Sequence, residues 1–126
     1  MEPVQLFDLA SQQARWLSVR QAVIAGNVAN ANTAGFRPMD VESFATVLSK
    51  TSQSMAATDA RHLGGDGFGS SIGFNEQDSD VPVRPSGNSV RLEDELVKAG
   101  EIRRDFELNT AIVKAFHRMI LMAART

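Results

Sequence analysis

Residues 92–124 read LEDELVKAGEIRRDFELNTAIVKAFHRMILMAA, and their spacing decides the fold. Leu92, Leu96, Ala99, Ile102, Phe106, Asn109, Val113, Phe116, Ile120 and Ala123 recur in steps of three and four. An apolar stripe of that period predicts a long helix with one seam laid against a partner helix. Asn88 or Ser89 is placed to cap its start. Glu93, Asp94 and Glu95 fall in the first turns and His117, Arg118 and Arg125 fall late, the order the helix dipole favours. Gly100 is the weak point, at about 1 kcal/mol relative to Ala. A helix of about 33 residues runs for about 50 Å. A second apolar row, Leu108, Ala111, Ile112, Ala115, Met119 and Met122, lies beside the first. One partner helix covers one seam, so this wider arc asks for two or more neighbours.

Working outward, the partner within the chain is the N-terminal segment. Residues 3 to about 31 carry apolar side chains at Leu6, Leu9, Ala10, Trp16, Leu17, Val23, Ile24, Val28 and Ala31, interrupted by Gln13 and Arg20. Pro3 suits a first helical position. Between the two helices the composition changes. Residues 49–88 hold Gly64, Gly65, Gly67, Gly69, Gly73 and Gly87 among many serines, with little apolar content for a core. Short extended pieces are expected around Ile72-Gly73-Phe74 and Val81-Pro82-Val83. The chain therefore divides into an N-terminal helix with its turn (1–34), a connecting segment (35–48), a Gly/Ser/Pro-rich middle loop (49–88) and a C-terminal heptad helix (89–126). The expected fold is all-α: two long terminal helices paired as a coiled-coil-like hairpin, with an irregular middle that has room for short β pieces. Leu6, Leu9, Leu17 and Ile24 from the first helix, and Leu96, Phe106, Val113, Phe116 and Ile120 from the last, are the expected packing or assembly residues.

Composition excludes several function classes. The 126 residues carry a net charge of −2, without the basic excess of a phosphate-backbone binder. There is no cysteine, so disulfides, Cys-based zinc sites and a Cys nucleophile are ruled out. No apolar run reaches the roughly 20 residues of a membrane span, and MEPVQLFDLA lacks the pattern of a secretory signal. Gly64-Gly65-Asp66-Gly67-Phe68-Gly69 lacks the strand and helix that a phosphate-binding loop needs on its flanks. Asp78 and Asp80 do not fit calcium-loop spacing. The histidines are His62, in the middle, and His117; a hydrolase would have to combine His117 with an acid such as Asp105 or Glu107. No catalytic residue, metal, cofactor, small-molecule substrate or nucleic acid is expected.

The turn after the first helix is unusual. Residues 26–36 read GNVANANTAGF. Asn is unfavourable inside a helix, because its side chain competes for nearby backbone groups. One reading is a helix stop, with Gly35 near the left-handed position. The other is a polar joint: Asn27 and Asn30 share a helix face and reach across it, while Asn32, Thr33 and Gly35 turn the chain. On that reading Asn30 makes the more important buried bond and Asn27, a turn earlier, the lesser one.

The same residues carry a family resemblance. Asn27-Val28-Ala29-Asn30-Ala31-Asn32-Thr33-Ala34-Gly35-Phe36-Arg37 is similar to the N-terminal signature NxANxxTPGY/F of flagellar axial proteins, the rod and hook family. Ser86-Gly87-Asn88-Ser89-Val90-Arg91-Leu92-Glu93-Asp94-Glu95-Leu96 resembles the DGNxVxLExEM segment of rod proteins, with Gly87, Asn88, Val90, Leu92, Glu93 and Glu95 in the matching places. Ala34 stands where the family has Pro, Ser86 where it has Asp, and Gly100-Glu101-Ile102 where related rods read AEN. The short chain and the pairing of the motifs point to the proximal-rod member. The resemblance implies a non-enzymatic building block of the basal-body rod in the periplasm, assembling helically with other rod subunits, with copies of itself and with the membrane-ring end. It also implies passage through the flagellar type III export apparatus without a cleaved signal peptide. A small helical adaptor or export chaperone is the alternative outside the rod.

Overall fold

The computed structural model of the chain describes residues 3–52, 68–77 and 83–125. The order of elements is helix α1 (Pro3–Ala29), strand β1 (Met39–Val41), helix α2 (Phe44–Ser52), a 3-10 turn (Gly69–Ser71), strand β2 (Phe74–Glu76) and helix α3 (Leu92–Ala124). The molecule is mostly α, with a single small antiparallel ribbon among the described residues, in which Met39 faces Glu76 and Val41 faces Phe74.

The two long helices run antiparallel. Near one end the ring of Phe7 meets that of Phe116 edge-on at 5.8 Å. Further along, Asn109 Nδ2 donates to the Ala10 carbonyl at 3.0 Å, and at the far end Asn27 reaches Glu95. On α1 the buried face is Ala10, Leu17, Ile24 and Asn27, with Leu6 and Leu9 half-buried. On α3 it is Glu95 and Ile102, followed by Phe106, Asn109, Val113, Phe116 and Ile120, all half-buried. Full burial of side chains such as Leu17, Ile24 and Ile102 contributes about 1.5–3 kcal/mol each.

The start of the stripe departs from expectation. Leu92 is exposed, and so is Leu96, at 59% of its surface. At 3.6 residues per turn, Leu96 lies about 120° round the helix from Ile102, whereas Glu95 lies only about 20° from it. Glu95 therefore takes the inward position, and the partner that makes its burial tolerable is described below. Nor does Asn88 or Ser89 cap α3: the N-cap is Arg91, without a side-chain cap bond, and Asn88 is engaged elsewhere.

A second small core fills the connecting and middle segments. Trp16 and Phe44 have ring centres 6.0 Å apart, as do Phe44 and Phe68, and Val41, Val47 and Ile72 are buried with them. Trp16 Nε1 donates to the Glu42 carbonyl at 2.8 Å, pinning the residue after β1 to α1. α2 crosses the expected division at residues 48 and 49, and opens with Thr46 N donating to Ser43 Oγ at 3.3 Å. The middle is thus less irregular than its composition predicts, since Phe68 and Ile72 are buried and residues 74–76 pair as a strand. His62, Gly64 to Gly67, Asp78, Asp80, Val81 and Pro82 lie outside the described residues. No helix among the described residues is long and apolar enough to cross a membrane.

Candidate functional site

The two motifs, some fifty residues apart in sequence, fold into one joint. α1 ends at Ala29 and the backbone tightens: Asn30 N donates to the Gly26 carbonyl at 3.1 Å and Thr33 N to the Asn30 carbonyl at 3.0 Å. Gly35 follows at φ 73° and Gly87 at φ 79°, both in the left-handed region where an L side chain is strained. The two glycines also touch. A Cβ on Gly87 would stand 3.3 Å from the Cα of Gly35, closer than backbone normally allows. Their strands of loop pair, with Gly35 N donating to Ser86 O at 2.9 Å and Ser89 N to Phe36 O at 3.2 Å.

Three buried polar side chains lock this joint. Asn88, 1% exposed, donates from Nδ2 to the carbonyls of Asn30 at 2.9 Å and Thr33 at 2.7 Å, while its Oδ1 accepts from Val90 N at 2.8 Å. It clamps the turn after α1 from across the chain, giving a second donor to two carbonyls that already accept from Thr33 N and Phe36 N. Asn27, also 1% exposed, donates to the Met39 carbonyl at 2.7 Å and to Glu95 Oε2 at 2.9 Å, and accepts from Met39 N at 3.0 Å. Its amide mimics a strand residue toward β1 and at the same time holds the one buried carboxylate of α3. Glu95, 1% exposed, is completed by Lys98 Nζ at 3.4 Å, and Lys98 in turn donates to Gln77. No buried side-chain polar atom among the described residues is left without a partner.

Asn30 behaves differently from the sequence expectation. Its Nδ2 turns back to the Gly26 carbonyl of its own helix at 2.8 Å and its Oδ1 accepts from Thr33 Oγ1 at 3.1 Å. The long-range bonds belong to Asn27, because the inward face of α1 runs through Leu17, Ile24 and Asn27, not through Asn30. Asn32 and Thr33 are exposed and Phe36 is half-buried. In the second motif Val90 is buried, and Leu92 and Glu93 are exposed.

A charged cluster that sequence reading passed over braces the same region. Arg20 grips both oxygens of Asp40, Nε to Oδ1 at 3.0 Å and Nη2 to Oδ2 at 3.1 Å, and lies 5.7 Å from the Trp16 ring centre. The bond to Asp40 raises the Arg20 pKa above its ordinary value despite the opposing effect of burial. Arg20 looked like an interruption of the apolar seam; the signal that could have placed it was Asp40 immediately before the hydrophobic Val41.

The outer surface of the hairpin is apolar. An open groove of about 610 Å³ runs between α1 and α3, floored by Ile24, Ala25, Val28, Ala99, Ile102 and Phe106. Beyond it Leu108, Ile112, Met119 and Met122 of α3 are exposed. Charge is unevenly spread along α3: its six acids end at Glu107, and after that come only Lys114, Arg118 and Arg125, with His117. His117 stands apart from both candidate acids on the same helix, twelve residues after Asp105 and ten after Glu107. His117 is exposed, Glu107 pairs with Arg103 at 3.2 Å, and ten residues of helix put Glu107 about 15 Å along the axis from His117. Among the described residues no group of three or more His, Cys, Asp or Glu is placed to hold a metal ion.

Residues 11–37, which cover most of α1 and the turn after it, match the model of the family described as flagella basal body rod protein. Over 129 aligned positions the chain is 48% identical to the flagellar basal body rod protein FlgB of Agrobacterium fabrum strain C58, spanning 99% of this chain and 96% of that one.

Proposed function

From the premise that the chain belongs to the flagellar basal body rod protein family and is a structural subunit of that rod, we propose a place for it at the proximal end of the drive shaft. There it stacks helically with other rod subunits and with copies of itself and meets the membrane-ring end of the basal body within the periplasm. It reaches that place through the flagellar type III export apparatus. No enzymatic step belongs to this role.

The observation that carries the proposal is the apolar arc of α3 outside the hairpin, where Leu108, Ile112, Met119 and Met122 are exposed beside the groove. Such surface is uncommon on a chain that works alone and marks a contact with other proteins. The joint fixes how the two helices pair, so each subunit offers the same face to its neighbours.

The test is Ile112→Glu together with Met119→Glu, two exposed positions that the hairpin does not use. The purified variant keeps the helical content and melting temperature of the natural chain, while cells expressing it at matched levels lack rods and do not swim. Normal basal bodies from that variant would remove the arc from the assembly face. A stable soluble heterodimer with one export substrate, and no incorporation into basal bodies, would favour the adaptor.

A further inference from the structure

We infer that the buried polar cluster Asn27–Glu95–Asn88 sets the register in which α3 lies on α1. The apolar seam cannot do this alone. Its positions repeat in steps of three and four, so sliding one helix by a heptad, about 10 Å, again sets apolar rows against each other. Asn109, the other amide in the seam, donates to the backbone carbonyl of Ala10, and an α-helix offers a carbonyl at every residue. That bond can re-form after a slide. The Arg20–Glu101 contact is long, at 3.8 Å, with Glu101 half exposed, and Arg20 is already committed to Asp40.

The Asn27–Glu95 pair is different because both partners are side chains at single positions, and Asn88 adds bonds to two carbonyls just beyond the end of α1. Asn27 Nδ2 meets Glu95 Oε2 across 68 residues of sequence, and both groups are 1% exposed. A slide of seven residues one way sets Asn27 against Ile102 and carries Glu95 past the end of α1. The other way sets Glu95 against Arg20 and pulls Asn88 off the Asn30 and Thr33 carbonyls. The first slide takes from Asn27 its carboxylate partner, and the second faces Glu95 with a guanidinium already committed to Asp40 and takes Asn88 from its two carbonyls, so either one gives up buried hydrogen bonds. A buried polar pair that fixes register at some cost in stability is an established device of paired helices. Register matters here because the groove is floored by residues of both helices, so a slide would dismantle it. The inference concerns the hairpin itself and stands apart from the rod assignment.

Three reporter pairs test it in the full chain, which has no cysteine of its own. Phe7→Cys with Phe116→Cys reports the native register, since those rings touch at 5.8 Å. Phe7→Cys with Asn109→Cys, and Phe7→Cys with Ala123→Cys, report the two slid registers. Each pair is placed in three backgrounds: natural, Glu95→Gln, and Glu95→Leu with Asn88→Ala. A short thiol cross-linker and circular dichroism are applied to each. In the natural background the slid pairs link at least about tenfold less than the native pair, as a difference of about 1.4 kcal/mol dictates. Glu95→Gln, which keeps an oxygen to accept from Asn27, does the same. In the Leu/Ala background helical content is kept and the slid pairs rise about tenfold or more. The inference is overturned by native-only linking in the Leu/Ala background, by loss of its helical content without sliding, or by Glu95→Gln sliding as far as the Leu/Ala variant does.

Discussion

Asn27 and Asn30 stand one turn apart and look interchangeable in sequence, yet their side chains have opposite partners. Asn27 satisfies Met39 twice and Glu95 once in a buried setting, whereas Asn30 bonds to Gly26 and Thr33 beside it. Truncating Asn27 leaves a buried carboxylate and two backbone groups short of partners, a loss of about 1–3 kcal/mol. Asn30→Ala removes local bonds and gains helix propensity, so it costs about 0.5 kcal/mol or less. Urea unfolding of the two variants gives that order, Asn27→Ala the weaker; equal midpoints would remove the buried role of Asn27. Gly87→Ala, strained at φ 79° and crowded by Gly35, lowers stability by about 1–2 kcal/mol in the same measurement. The motif residues were legible as a group, because Asn is out of place inside a helix without a use for it. Which Asn faces inward was not legible, since that depends on the partner helix and its one buried acid.

Along α3 the periodic stripe located the packing face from Ile102 to Ile120 and missed it at Leu92 and Leu96. The miss has a physical cause. Pattern reading counts apolar residues as inward, and a glutamate paired with a buried amide occupies the inward position instead. The element therefore divides into residues that hold the hairpin and residues that do not. Leu96→Gln changes a side chain 59% exposed and leaves the unfolding midpoint within about 0.5 kcal/mol of the natural chain. Phe116→Ala strips the half-buried ring from Phe7 and lowers stability by about 2 kcal/mol, short of the 3–5 of a fully buried ring. Matched unfolding of the pair checks both; a larger loss at Leu96 would mean that α3 is rotated from the position described. α2 escaped sequence reading because nine residues are too few for a persistent period, and its packing against Trp16 and Phe68 comes from distant segments.

For the whole molecule, stability is concentrated at the joint end of the hairpin. There buried side chains, the ribbon and the Trp16 core all meet α1. At the other end, among the described residues, α3 leans on α1 alone and Leu108, Ile112, Met119 and Met122 are exposed. In dilute solution the amides of residues 108–125 exchange with solvent faster than those of residues 95–106, and assembly slows them. Uniform protection along α3 in the free chain would show that the hairpin needs no neighbours. Trp16, the sole tryptophan, reports the joint end separately, its emission shifting to longer wavelength only when that core opens. The sequence displayed the two helices because long elements repeat their pattern many times. It hid the small core because Phe44, Phe68 and Ile72 are single residues from separate stretches, with no period to betray them.

The pairing of Gly35 with Ser86 and of Ser89 with Phe36 has an architectural consequence. The chain that turns away after Gly35 and Phe36 comes back beside them at Ser86 and Ser89, while Met39, Asp40 and Glu42 in between also bond to α1. Within that stretch, Ser52 ends α2 and Phe68 is fastened beside Phe44, which gives a second, inner pair of posts. Ten extra residues grafted between residues 52 and 68 change the free energy of closing the chain between those two posts by about 0.5 kcal/mol. An epitope or fluorescent-dye tag written there would give a handle on the subunit at a place in the sequence outside both long helices.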